Sequence, residues 1–502
     1  MAMGDLRRKL GSLVALSGLA TVTGFATQVL VAFYFGTSKD LDSYWLATAV
    51  VTTLGFYVHP LRESLIAVVF RSAKANPDRA SEVLTAGVLV LLTMSSFAAV
   101  VLVLAASFNL FSPSTLADTP FANLLMAFLP FVFLFAFSET FNAVLLSLDL
   151  ALHQAVARLL SALVAVTCLA VFGSLLGIYA LVLSVMMGQV VVLLVSWRAL
   201  RARGLRWRFA GLLPLRERSF LLMFGSLLLN YLLAQSYVFI ERSTMSYLQP
   251  GALSAFQYAT LLVNVMISLL ALPLSSLLWP RFLEHERRGD RLGMLILAWD
   301  VGAPVFFLLM MVVAFTWYAA PEIVSLVFER GRFGAVSHQQ TTDALRMTIF
   351  AAIPIALVTL ALRALMSQGR SGQVAIVGTS MAVVGMTILS VAWAVHSLQT
   401  AQAHWAIANS CGAFLAWLLL VRGSTLPGQR VWGMARSATL SIAVVMLPLF
   451  ALPSLNIGSQ PWWEMGLGLV GVILMYVGMV LSLALVCKLI SLKKVRQLLK
   501  FQ

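Results

Sequence analysis

Residues 177–197, GIYALVLSVMMGQVVVLLVSW, hold no charged side chain, and comparable stretches recur from one end of the chain to the other. A helix needs about 20 apolar residues to cross a hydrocarbon core of about 30 Å, and inside that core its backbone groups must satisfy one another. The chain therefore reads as an all-α polytopic membrane protein. Cutting at polar, Gly and Pro breaks gives segments near 11–36, 42–70, 82–108, 120–147, 156–175, 177–197, 219–240, 252–280, 294–318, 341–366, 373–396, 402–421, 434–452 and 463–487. That amounts to about fourteen transmembrane helices. With 61% hydrophobic and 11% charged residues among 502, a water-soluble enzyme is excluded. The N-terminal MAMGDLRRKLGS imitates a signal peptide, yet the apolar run behind it lacks a small-x-small cleavage site and reads as a retained first span.

The net charge of +15 would suggest a nucleic-acid partner in a soluble protein; here it first reports topology, because short cytoplasmic loops retain Lys and Arg. Alternating the loops places 28 of the 34 basic residues on one side, including Arg7, Arg71, Arg281, Arg363, Arg422 and Lys488. Lys39, Arg62, Arg242, Arg330, Arg332 and Arg346 are left for the other side or the membrane interior. Both termini are expected in the cytoplasm, and FERGRF (328–333) outside it. The basic stretch 198–218, RALRARGLRWRFAGLLPLRER, divides the chain. The expected organisation is an N-terminal lobe (1–197, six helices), this linker, a C-terminal lobe (219–421, six helices), and two more helices with a basic tail (422–502). The linker reads either as a topological anchor or as a surface for anionic lipid, at about 1 kcal/mol per basic residue. Cys168, Cys411 and Cys487 lie in apolar runs without a CxxC or His partner, so neither a disulfide framework nor a metal site is expected.

Residues 44–71 can be laid over 256–281 at an offset of about 212: Tyr44 meets Phe256, Ala47-Thr48 meets Ala259-Thr260, Pro60 and Pro273 agree within one residue, and Arg71 and Arg281 close the segments. The second helix of each lobe is therefore expected to be the same element, kinked at proline. Internal symmetry with interrupted helices is a mark of secondary transporters, whose substrate site lies between the repeats.

The runs GALSAFQYATLLVNVMISLLALPLSSLLWPRFLEHERRGD (251–290), PEIVSLVFERGRF (321–333) and ALRALMSQGRSGQ (361–373) resemble the MurJ (MviN) family of the MOP exporter superfamily. The resemblance implies two pseudo-symmetric six-helix lobes plus two C-terminal helices. It also implies an alternating-access flippase that moves an undecaprenyl-diphosphate-linked saccharide across the bacterial cytoplasmic membrane. Where the family carries an Arg-Asp pair after Gly-Phe, this chain has Gly24-Phe25-Ala26-Thr27-Gln28, so that the positions of the family's cavity arginines hold Thr21, Thr27, Ala49 and Leu261. Fold and general activity carry over; the lipid II site does not, which points to a repeat unit of an exopolysaccharide or surface polysaccharide.

An ionisable side chain near the bilayer centre costs at least about 2.5–3.5 kcal/mol on insertion scales, so those that remain normally serve a purpose. His59-Pro60-Leu61-Arg62-Glu63 is the leading cluster. Arg62 offers a planar fork to a diphosphate, His59 shares its face, and Glu63 is a candidate for ion coupling; the alternative is that Arg62 snorkels to the interface. Glu139 with Asn142 reads as a cavity carboxylate or as a partner between helices. Gln28, Gln257 and Asn264, with Asn230 and Gln235, are interior amides suited to sugar hydroxyls or to helix association. Asp42 reads as a cap on its own helix, and Glu241-Arg242 as a local ion pair. No Walker A loop, HExxH or GxSxG elbow stands in a loop, so no cofactor and no enzymatic activity is expected. The partners expected are the lipid-linked saccharide, membrane lipids, and glycosyltransferases and a polymerase of a polysaccharide pathway; nucleic acid is not among them. Competing readings are a divergent lipid II flippase, a cation-coupled exporter of the MATE branch, and a non-transporting scaffold for glycan-assembly enzymes.

Overall fold

The computed structural model describes residues 3–75, 77–111, 116, 118–148, 150–204, 208, 215, 218–422, 444–448 and 462–486. All regular structure among the described residues is helical. Ten helices there are long and apolar enough to cross a membrane, or eleven when the pair 306–318 and 320–328, bent by 77°, is one span. Of the expected span 434–452 only 444–448 are described, while Cys487 and the basic tail from Lys488 lie outside the described residues, as does most of the 198–218 stretch.

The chain forms two compact units, Met1–Ser254 with Arg330–Gly334, and Ala255–Glu329 with Ala335–Gln502. The first holds α1 (Met3–Phe35), α2 (Lys39–Leu54), α3 (Val58–Ala75), α4 (Pro77–Ser107), α5 (Phe121–Ala127), α6 (Leu129–Ser147), α7 (Ala151–Leu176), α8 (Tyr179–Ala202) and α9 (Arg218–Leu248). Two expected spans are broken here. Segment 42–70 becomes α2 and α3, because β-branched Val50, Val51, Thr52 and Thr53 weaken the helix just before Gly55. Gly55 donates its N–H to the Val51 carbonyl at 3.0 Å, and Val58 restarts the chain on the Gly55 carbonyl at 3.0 Å. Pro60 then falls in the first turn of α3, where a missing N–H costs nothing. The break therefore lies at 55–57, ahead of the proline that the sequence marked as the kink. Segment 120–147 breaks at Phe128, with Pro130 opening α6.

Packing in this unit uses small residues at close approaches, as membrane helices do. A Cβ at Gly173 of α7 would lie 2.8 Å from the Tyr34 ring of α1, and one at Gly188 of α8 would lie 2.7 Å from the Ser161 hydroxyl of α7. Phe128, Phe131 and Phe135 form a stripe along one face of α6, with successive ring centroids 5.8 and 5.6 Å apart. Helix α9 packs against α2 and α3.

The second unit holds α10 (Ala252–Arg287), α11 (Arg291–Tyr318), α12 (Ala320–Phe328), α13 (Ala335–Thr348), α14 (Ala352–Ser367), α15 (Ser371–Ala394), α16 (Leu398–Val421) and α17 (Trp462–Val486), the first turn of α10 being grouped with the first unit. Its core includes Phe282, Met294, Ala298, Leu365 and Leu420. A second cluster joins Phe315 of α11 to Tyr476 of α17, whose hydroxyl donates to the Val445 carbonyl at 3.1 Å. Asp290 caps α11, its Oδ1 accepting from the Gly293 N–H at 2.7 Å. Helix α10 runs unbroken through Pro273, whereas the corresponding stretch of the first unit is divided into α2 and α3.

Candidate functional site

The charged cluster of the first unit is assembled where α3 meets α6. Arg62 Nη1 donates to Glu139 Oε2 at 2.8 Å, the two side chains being 21% and 17% exposed. Asn142, one turn beyond Glu139, donates from Nδ2 to Glu139 Oε1 at 3.4 Å. Arg62 Nε and Asn142 Oδ1 are buried without a hydrogen-bond partner. The pair is thus held in place and still has one donor and one acceptor to offer, an unusual state for buried polar atoms.

His59 stands one turn before Arg62, facing two aromatic rings. Its imidazole stacks on Tyr231 of α9, with centroids 5.4 Å apart and planes 20° from parallel, and meets the edge of Phe135 at 5.7 Å. Tyr231 and Phe135 were not among the residues singled out by the sequence; the neighbouring Asn230 and the aromatic density of FVFLFAF (131–137) were the available signals. Glu63 is exposed. The structure brings together Arg62, Glu139, Asn142 and His59. Gln28 is half-buried on α1, and Gln257 and Asn264 belong to the second unit, half-buried and exposed respectively.

The positions where the family's arginines fall carry no cation. Thr21 and Thr27 turn their hydroxyls to the carbonyls of Ser17 and Thr23 on their own helix, at 2.9 and 3.1 Å. Ala49 is fully buried, and Thr260 donates to the Gln257 carbonyl at 3.0 Å.

One expectation at the other end of α2 is corrected, and a second is extended. Asp42 does not cap its own helix: Ser38 does, accepting from the Leu41 N–H at 3.3 Å. Asp42 is fully buried and binds the start of α10, Oδ2 accepting from the Gly251 N–H at 2.6 Å and Oδ1 from the Ser254 N–H at 2.8 Å and hydroxyl at 2.5 Å. The carboxylate thus meets the positive N-terminal end of α10. Arg242, expected to pair with the adjoining Glu241, also donates from Nη1 to the Trp45 carbonyl at 3.1 Å and lies 5.8 Å from the centre of the Trp45 ring. Successive helical residues point about 100° apart, which turns Arg242 toward α2.

Arg332 also acts through its backbone. Its N–H donates to the Phe33 carbonyl at 2.8 Å, satisfying one of the last carbonyls of α1, and Gly331 adopts φ +61° so that the loop can approach. A Cβ on Gly331 would lie 2.5 Å from the Phe33 oxygen.

Two helical units, many apolar helices long enough to span a bilayer, and a broken helix bearing charges define a multi-pass membrane protein. The model of the family described as lipid II flippase MurJ matches residues 31–484. The chain belongs to that family, whose members are lipid flippases. Among solved structures, a lipid II flippase MurJ in an inward closed conformation superposes with a TM-score of 0.76 at 14% identity, covering 93% of this chain and 98% of that one. A multidrug resistance MATE family transporter of the MOP superfamily, inward-facing, gives 0.60 at 14% identity over 85% and 98%. A MOP superfamily transporter from Pyrococcus furiosus gives 0.57 at 14% identity over 84% and 96%. At such identities the likeness speaks for the fold. No curated protein sequence matches the chain.

Proposed function

We propose that this flippase translocates an undecaprenyl-diphosphate-linked oligosaccharide by alternating access, and that its cargo is a repeat unit of an exopolysaccharide or surface polysaccharide rather than lipid II. The observation that carries the reading is the arginine exchange. The chain has Thr21, Thr27, Ala49 and Leu261 where the resemblance expects cations, and it has Arg62 with an unpaired Nε beside a helix break. A dianionic diphosphate leaving water needs charge-assisted donors, each contributing about 1.5–3 kcal/mol. Arg62 supplies the planar fork, and Glu139 holds it in register until phosphate oxygens take the carboxylate's place. His59, Asn142, Gln28, Gln257 and Asn264 provide polar contacts for the saccharide, and Glu63 the titrating carboxylate of an ion-coupled cycle.

In this reading the protein sits in the bacterial inner membrane with both termini in the cytoplasm, its two lobes joined by the 198–218 stretch. Glycosyltransferases that build the lipid-linked unit and a polymerase that consumes it are its pathway neighbours. Cysteines introduced at Arg203 and Arg332, both exposed, test the orientation by labelling from opposite sides. The cargo is tested by complementation of a strain depleted of its own lipid II flippase. The expected result is no growth, together with loss of a surface polysaccharide when the native gene is deleted; robust growth would establish the divergent lipid II flippase instead.

A further inference from the structure

At the end of α2 that carries Asp42, Trp45 and Arg242 form a second arrangement that the Arg62 cluster does not use. Arg242 is fixed on α2 by its bond to the Trp45 carbonyl and by the cation–π contact with the Trp45 ring. Neither interaction uses Arg242 Nε or the indole Nε1 of Trp45, and both atoms are buried without a hydrogen-bond partner. The Ser243 hydroxyl, next along α9, is unpartnered as well. Buried N–H donors are almost always paired, so two orphans on side chains in mutual contact amount to a shared deficit of acceptors. Trp45 and Arg242 are both half-buried, so neither side chain is wholly closed off from its surroundings.

A group that meets both donors needs negative charge and several acceptor oxygens, the description of a phosphate oxyanion. Glu241 adjoins the site and lowers its positive potential, so an anion there is held by directed N–H donors more than by net charge. Arg242 and Tyr231, which stacks on His59, lie eleven residues apart on α9. At 1.5 Å per residue that is about 16 Å along one helix.

We propose that Trp45 and Arg242 form a second diphosphate site in the first unit, displaced along α9 from the Arg62 cluster, where the head group rests after leaving Arg62. The proposal rests on the flippase reading above, and its test separates the two. The full chain in nanodiscs is titrated calorimetrically with farnesyl diphosphate and, in a second arm, with inorganic pyrophosphate. Wild type is expected to show two binding events with either probe. Arg62→Gln removes one event and Arg242→Gln the other. Trp45→Phe, which keeps an aromatic face and removes the indole N–H, weakens the second event at least about tenfold, and Glu241→Gln strengthens it. Should Arg242→Gln fail to fold, Trp45→Phe decides, and unchanged affinity in it overturns the proposal. A single event that vanishes in Arg62→Gln and is untouched in Arg242→Gln and Trp45→Phe overturns the second site and leaves the flippase reading standing. An Arg242-dependent event with farnesyl diphosphate but none with pyrophosphate places recognition in the prenyl chain and overturns the oxyanion assignment. Absence of any event in wild type overturns both readings.

Discussion

Residues 44–71 and 256–281 can be aligned, yet the first stretch is two helices and the second is part of one. The first breaks at Gly55; at the offset of 212 the second carries Ile267, a buried residue inside an unbroken α10. The first then places His59, Arg62 and Glu63 on the restarted helix, where the second has Leu274-Ser275 near the equivalent position. The difference teaches that the fold itself requires neither the break nor the charges. A break at membrane depth leaves backbone groups without their helical partners and is tolerated where protein or a cavity satisfies them. Here the turn does so itself, the Phe56 N–H donating to the Thr53 carbonyl at 3.1 Å and the Val58 N–H to the Gly55 carbonyl at 3.0 Å. The polar cluster is thus a specialisation of one repeat.

The largest effects on transport are expected from unpairing that cluster. Glu139→Ala leaves Arg62 charged and without its partner, at a cost on the order of 2–3 kcal/mol given that both side chains keep some exposure. The double variant Arg62→Met, Glu139→Leu should recover most of this in a thermal melt while abolishing transport. Equal melting losses in the single and double variants would show that the pair is not coupled.

Next comes an exchange of the two helix forms. Ile267→Gly should destabilise the protein by on the order of 4 kcal/mol, from a lost buried side chain and lower helix propensity. Gly55→Ala should change stability by under about 1 kcal/mol, because Gly55 sits at φ −82° and an added Cβ meets nothing closer than 3.4 Å. If transport nonetheless falls in Gly55→Ala, the break is needed for motion; full transport would make it a passive feature.

Asp42→Ala strips an acceptor from three donors and is expected to cost about 3 kcal/mol, where Asp42→Asn costs less because it keeps one oxygen. Equal melting losses in the two variants would show that the carboxylate oxygens carry no special weight. The smallest effect concerns Asp290. The Gly293 N–H, followed by His285, holds its carboxyl below the usual carboxylate range. A depressed carboxyl stabilises the folded chain above its unfolded value and loses that contribution as pH falls through the folded one. The small stability gap between wild type and Asp290→Ala should therefore be full at neutral pH and close in acid, and a gap constant with pH would contradict the cap.

What the sequence disclosed follows from the range of the forces involved. Apolar spans such as 82–108 and 373–396 are legible because a helix in hydrocarbon satisfies its backbone locally. Arg62 and Glu139 each stood out as costly charges, but their bond joins residues 77 apart, and no local spacing announces it. Asp42 reaches residues 209 and 212 positions away. The break at Gly55 was placed at Pro60 because proline is the stronger breaker in a helix interior, whereas a first-turn proline breaks nothing. Tyr231 looked like one more ring in an apolar helix until α9 was packed against α3.

The central claim, that the specialised repeat binds the diphosphate of a lipid-linked saccharide through Arg62, is tested most directly by reconstitution. Purified chain in proteoliposomes is supplied with a fluorescent undecaprenyl-diphosphate-linked saccharide, and its flipping is followed by quenching from outside. The expected result is flipping by wild type, partial flipping by Arg62→Lys, which keeps the charge without the planar fork, and none by Arg62→Gln, compared on protein that is folded at the assay temperature. Full flipping by Arg62→Gln would contradict the account.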